Sequence, residues 1–128
     1  MNEDGSRSRY VNCLTGAQLH RLAYREWGDP ANPRVVVCVH GLTRNSRDFG
    51  PLGRALSDRW RVIAADMPGR GASERLADPM LYQIPTYVAN AVTLLARLDV
   101  ETVDWVGISL GGLMGMALGA STLPMMPT

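Results

Sequence analysis

Lysine is absent from this chain: all 13 basic residues are arginine, set against 12 acidic ones for a formal net charge of +1. We read the missing lysine as a bias toward GC-rich codons that carries no functional information. The near balance of charge is informative. With no basic excess and no basic stripe, nothing electrostatic points to nucleic acid or an anionic membrane as a partner. Cysteine is nearly as scarce. Cys13 and Cys38 lie in separate apolar segments with no CxxC spacing and no histidine pair nearby. Neither a metal site nor a disulfide framework is indicated, and both read as core residues. No apolar run approaches the ~18 residues of a spanning helix, and the polar opening MNEDGSRSRY lacks the apolar centre of a signal peptide. A cytoplasmic, reducing location is the default expectation. Internal repeats and low-complexity segments are also missing, and 128 residues suffice for one modest core but not for two domains.

What is present alternates between strand-like and helix-like segments. After a start expected to be disordered over residues 1–9, Tyr10 to Leu14 and Gln18 to Trp27 read as two strands joined by a turn at Thr15-Gly16-Ala17. Gly28 to Pro33 is dense in turn formers, and the continuous apolar run Val35 to Val39 suits a parallel strand covered on both faces. It ends in His40-Gly41-Leu42. A helix is expected over Arg47 to Ser57, with Phe49, Leu52 and Leu56 at helical spacing and Pro51 in the first turn. Arg61 to Asp66 is the next strand, and the glycines and proline of Met67 to Ser73 make a loop. Thr86 to Leu98 carries Val88, Ala91, Val92, Leu95 and Leu98 along one face, as an amphipathic helix introduced by Pro85. Residues 120–128 are expected to form an irregular tail.

The most informative stretch is Val103 to Gly119, VDWVGISLGGLMGMALG. An apolar, β-branched run passes through Gly107-Ile108-Ser109-Leu110-Gly111 into a small-residue, helix-compatible segment. Strand, sharp turn and helix in that order are the context of a G-x-S-x-G nucleophile elbow. Such a turn lifts the serine hydroxyl above the sheet, and its flanking glycines avoid collisions with neighbouring backbone. It also aims the N–H of Leu110, at the start of the helix, toward the charge that develops on an attacked carbonyl. In a sheet of parallel strands joined by helices, the functional loops gather at the strand carboxyl ends, where His40 to Leu42, the Asp66 loop and Ser109 all fall.

Taken together, His40-Gly41 after a Val-rich strand, Asp66-Met67-Pro68-Gly69-Arg70-Gly71-Ala72-Ser73 after the next, and Gly107 to Gly112 resemble the α/β-hydrolase fold superfamily, in its serine esterase-like branch. The resemblance covers Leu22 to Gly119. It implies an α/β fold consisting of the N-terminal part of that family's sheet, an initial hairpin followed by parallel strands with connecting helices, in a single incomplete domain over 1–128. It further implies Ser109 as nucleophile, an oxyanion hole formed by the backbone N–H groups of Leu110 and, by position, Leu42, and a small ester-like substrate cleaved through an acyl-enzyme without metal or cofactor. The same resemblance gives His40 a structural role beneath the oxyanion loop rather than that of general base. His20 reads as a surface or core-edge histidine and Asp66 as a turn anchor. Arg70 reads either as a surface charge or as a loop anchor, and Met114 and Met116 as packing residues.

One departure weighs against activity. In this family the catalytic acid and histidine follow the serine in the chain, yet the 19 residues after Ser109 contain no Asp, Glu or His. Loss of the histidine from a serine protease costs about a millionfold in kcat. The expectation is therefore a nearly inactive fragment of a serine hydrolase. The alternatives are a non-catalytic interaction module, or one half of a split enzyme whose open sheet edge takes a second copy or a complementing chain.

Overall fold

The structure is a computed structural model, and it describes residues 1–120. Five strands form one mixed sheet: β1 (Arg7–Thr15), β2 (Gln18–Trp27), β3 (Val35–Val39), β4 (Arg61–Ala65) and β5 (Asp104–Gly107). Their order across the sheet is β1-β2-β4-β3-β5. The hairpin β1/β2 is antiparallel and joins β4 antiparallel, whereas β3 is parallel to both β4 and β5. The three parallel strands thus end at the same edge of the sheet, which brings the loops after Val39, Ala65 and Gly107 together.

Burial on both faces explains the uninterrupted apolar runs of β3 and β4. Val35, Val37 and Val39 with Ile63 and Ala65 face one side, where they meet α2 (Ile84–Arg97) and α3 (Leu110–Ala120) through Leu94, Leu95, Leu110, Met114 and Leu118. Val36, Cys38, Val62 and Ala64 face the other side against Trp27 and Phe49, with Leu52 and Leu56 of α1 (Gly50–Leu56) packed on them. Helices therefore cover the sheet from two sides, as a parallel arrangement requires.

Several boundaries differ from those read in the sequence. β1 begins at Arg7, and Met1–Ser6 form a turn in which Asn2 N–H donates to Ser6 O at 2.8 Å and Trp27 Nε1–H donates to Asp4 O at 2.9 Å. This turn and the start of β1 occupy the stretch 1–9 for which the sequence leads one to expect disorder. The charged residues that masked the strand pattern are used within it: Arg7 and Arg9 reach Glu26, as Arg61 does from β4. The expected helix over Arg47 to Ser57 is a 3₁₀ turn at Ser46–Phe49 followed by α1, with Pro51 in the first turn. Helix α2 starts at Ile84, two residues earlier than expected. Met114 is fully buried, but Met116 is 72 % exposed, contrary to its reading as a packing residue. The expected tail at 120–128 falls outside the described residues except for Ala120, which closes α3. No helix among the described residues is long and apolar enough to cross a membrane.

Candidate active site

The turn between β5 and α3 is built by three close approaches. A Cβ on Gly107 would stand 2.3 Å from the carbonyl of Gly111, and one on Gly111 would stand 2.2 Å from Val39 O, distances that no side chain can occupy. Between them Ser109 has φ +54°, the left-handed conformation that costs an L-residue about 1–2 kcal/mol. The turn is held by Ile108 N–H donating to Val39 O at 3.1 Å and Gly111 N–H donating to Ile108 O at 3.0 Å. The consequence is an exposed Ser109, with no hydrogen-bond partner for its hydroxyl among the described residues, on the last position before α3. Leu110 is the first residue of that helix, so the helix leaves its N–H unpaired. The aligned peptide dipoles add partial positive charge at the same place.

The loop after β3 lies against this turn. A Cβ on Gly41 would be 3.8 Å from Ser109 Cβ and 3.7 Å from Ile108 O. The Gly41–Leu42 peptide is fixed from one side: Gly41 O accepts from His40 Nδ1–H at 2.7 Å and from Arg44 N–H at 3.1 Å. In a trans peptide the carbonyl and the following N–H are antiparallel, so these bonds turn the Leu42 N–H away from His40. Arg70 secures the next peptide, with Nε–H donating to Leu42 O at 3.1 Å.

Both histidines are buried. His40 is fully buried, and its Nε2 accepts from Met67 N–H at 3.0 Å while Nδ1–H serves Gly41. Both ring nitrogens are committed to one neutral tautomer, and burial holds the pKa below the ordinary histidine value. His20 is buried in β2 with Nε2 2.7 Å from Thr15 Oγ1 and with Nδ1 lacking a hydrogen-bond partner among the described residues, and burial lowers its pKa as well. Asp66 is equally committed. Its carboxylate accepts from Ser46 N–H at 2.7 Å and from Ala72 N–H at 3.1 Å, and its carbonyl accepts from Ser73 Oγ–H at 2.6 Å, so it ties the loop after β4 to the loop after β3. Arg70 is a loop anchor as well as a partly exposed charge, with Nη1–H donating to Pro68 O and to Tyr87 Oη, each at 3.1 Å. Sequence reasoning left this open because nothing in the Gly69-Arg70-Gly71 pattern says which carbonyl a long side chain will reach.

The cysteines offer no competing nucleophile. Both are buried free thiols, and burial pushes Cys13 up to about 11 and Cys38 up to about 12. No cluster of His, Cys, Asp and Glu among the described residues could hold a metal ion.

A strained, exposed serine between a parallel strand and a helix, faced by a glycine-containing loop from the neighbouring strand, places this chain in a known class. A family model for the alpha/beta hydrolase fold matches residues 34–124. The chain belongs to the α/β hydrolase fold family. It is 56% identical over 121 residues to a 3-hydroxybutyrate-oligomer hydrolase of Cupriavidus necator, covering 94% of this chain and 41% of that protein. It is 37% identical over 86 residues to a serine hydrolase-like protein of Danio rerio, covering 67% of this chain and 26% of that one. A solved α/β hydrolase from Novosphingobium aromaticivorans superposes with a TM-score of 0.84 at 39% identity, over 95% of this chain and 42% of that chain. The chain thus spans less than half the length of the relatives it matches.

Proposed function

We propose that this chain carries the nucleophile half of a serine hydrolase acting on esters of small hydroxy acids. The observation that carries the reading is Ser109 at φ +54° between two glycines whose Cβ positions are filled by backbone. In this reading Ser109 Oγ attacks the ester carbonyl, and the N–H groups of Leu110 and Leu42 receive the developing oxyanion. The alcohol departs, and water then releases the acid from the acyl-enzyme. The substrate class is supported by the Cupriavidus necator relative, whose name assigns it 3-hydroxybutyrate oligomers.

Ser109 needs a base. Neither His20 nor His40 is free to serve, since each is buried and His40 has both nitrogens engaged. The residues after Ser109 offer no histidine or carboxylate. A histidine and an acid from outside this sequence therefore complete the site, either from further sequence of the same polypeptide or from a second chain. The chain by itself is a nearly inactive fragment. The edge available for completion is β5, which pairs only with β3 among the described residues. That same edge favours the second reading, an interaction surface for another copy or a complementing chain. We place the protein in the cytoplasm, in keeping with two unpaired thiols buried on opposite faces of the sheet.

The test is a chimera in which this chain replaces the matched segment of the Cupriavidus necator hydrolase. It should hydrolyse 3-hydroxybutyrate oligomers, and Ser109→Ala should reduce kcat by about a millionfold. Turnover that survives Ser109→Ala would remove the serine from the mechanism.

A further inference from the structure

We infer that Arg70 is a carboxylate receptor at the mouth of the site, so that the favoured ester carries a free acid group in addition to the bond to be cleaved. The inference rests on the hydrolase reading above and narrows its substrate class.

The argument begins with how the guanidinium is held. Nε–H donates to Leu42 O, and Nη1–H to Pro68 O and Tyr87 Oη, which fixes the plane of the group from two sides. The rings of Tyr82 and Tyr87 flank it, with centroids 5.9 and 5.5 Å from Cζ. Tyr82 is itself set by its hydroxyl, which accepts from Leu76 N–H at 2.7 Å. An arginine is always charged, and a donor whose direction is already fixed loses less freedom when it takes a carboxylate oxygen.

That fixed charge lacks an acid. No carboxylate among the described residues lies within ion-pair distance of Arg70, whereas Arg61 sits 2.7 Å from Glu26 and Arg25 sits 2.9 Å from Asp4. All of its protein acceptors are neutral oxygens. The Nη2 amino group makes no hydrogen bond among the described residues, and Arg70 is only partly buried. Anchoring the loop accounts for Nε and Nη1 but leaves Nη2 unexplained, and an Nη2 N–H can make a charge-assisted hydrogen bond to one carboxylate oxygen.

The position fits a substrate that also reaches Ser109. Arg70 bonds Leu42, and the adjoining Gly41 faces Ser109 with a Cβ position 3.8 Å from Ser109 Cβ. Arg70 therefore binds the carbonyl of the residue whose N–H is assigned to the oxyanion, and the residue before it faces Ser109. In the inferred complex the ester carbonyl lies at Ser109 and the terminal carboxylate at the guanidinium held on Leu42 O.

The experiment uses the 128-residue chain and follows the Arg70 Nε–H resonance during titration at pH 7. The two probes are the linear dimer of 3-hydroxybutyric acid and its methyl ester. The acid should shift the resonance saturably and bind at least about tenfold more tightly than the ester, the difference of one charge-assisted pair. Arg70→Met should abolish that preference, and Arg70→Lys, which keeps the charge but loses the loop-held guanidinium and its Nη2 donor, should weaken acid binding at least about tenfold. Amide spectra and melting temperatures of both variants separate a lost subsite from a lost fold. Equal binding of acid and ester by the unsubstituted chain overturns the inference without any variant. So does a natively folded Arg70→Met chain that binds the acid as tightly as the original. Failure of the hydrolase reading looks different: the acid preference persists in the chain while the chimera shows no turnover dependent on Ser109.

Discussion

The carbonyl oxygen of Val39 occupies the space in which Gly111 would carry a side chain: a Cβ there would lie 2.2 Å from Val39 O. That oxygen also accepts the Ile108 N–H at 3.1 Å, so the end of β3 and the start of α3 are locked around the turn that presents Ser109. Gly111→Ala must separate two pieces of backbone rather than displace a flexible side chain. It should destabilise the chain by about 3 kcal/mol or more, measured by urea unfolding, with concomitant loss of any Ser109 reactivity.

Ser109 itself should show the opposite sign. Its left-handed φ of +54° is strained for serine and ordinary for glycine. Ser109→Gly is expected to gain about 0.5–1 kcal/mol, the relief of strain less the added freedom of the unfolded chain. Ser109→Ala keeps the strain and should change stability little. Equilibrium denaturation of both variants beside the original chain checks the pair.

Two buried histidines set the pH dependence near neutrality. Burial depresses the pKa of both His40 and His20 below the ordinary 6.5. In the unfolded chain they take up protons as pH falls through 6.5, and in the folded chain they do so only at lower pH. The unfolded state therefore binds more protons in this window, and stability should fall as pH drops below 6.5. His40→Gln should flatten part of that slope, read as melting temperature against pH, and the His40 ring protons should titrate below 6.5 by NMR.

A second, more acidic loss should come from Glu26. Its side chain is almost fully buried, which opposes ionisation, but hydrogen bonds and charge from Arg61, with Arg9 and Arg7, outweigh burial and hold its pKa below the ordinary 4.5. A carboxylate with a depressed folded pKa stabilises above 4.5, and that contribution is lost as pH falls through the folded value. Glu26→Gln should remove this acid-side loss. At pH 7 it should cost on the order of 2 kcal/mol, less than a wholly buried pair because Arg7 and Arg9 keep contact with solvent.

The chain without a partner should hydrolyse a p-nitrophenyl ester no faster than its Ser109→Ala variant, because both histidines are buried and His40 has both ring nitrogens bonded. Side-by-side initial rates settle the comparison, and a large Ser109-dependent rate would mean that one of the two buried histidines leaves its present bonds.

The elements that were legible in the sequence are those whose residues report on themselves. Val35 to Val39 reads as a doubly covered strand because every residue is apolar, and Gly107-Ile108-Ser109-Leu110-Gly111 reads as a sharp turn because its glycines mark backbone contacts. What was not legible depends on partners distant in sequence. Arg7 and Arg9 hid the start of β1 because their acid, Glu26, lies on the next strand. The anchoring by Arg70 was hidden because its acceptors come from three separate segments. Helix α3 is apolar on nearly every side, so periodicity could not show that Met114 points into the core and Met116 out of it.

The central claim is that Ser109 is a nucleophile waiting for its base, and site-resolved covalent labelling tests it most directly. The chimera with the Cupriavidus necator hydrolase is treated with a fluorophosphonate, which reports activation of a serine without requiring the correct substrate. Peptide mass spectrometry should place one adduct on Ser109, absent in Ser109→Ala and absent when the histidine of the added half is replaced. A folded chimera that hydrolyses esters while Ser109 stays unlabelled, or that is labelled at another residue, contradicts the account.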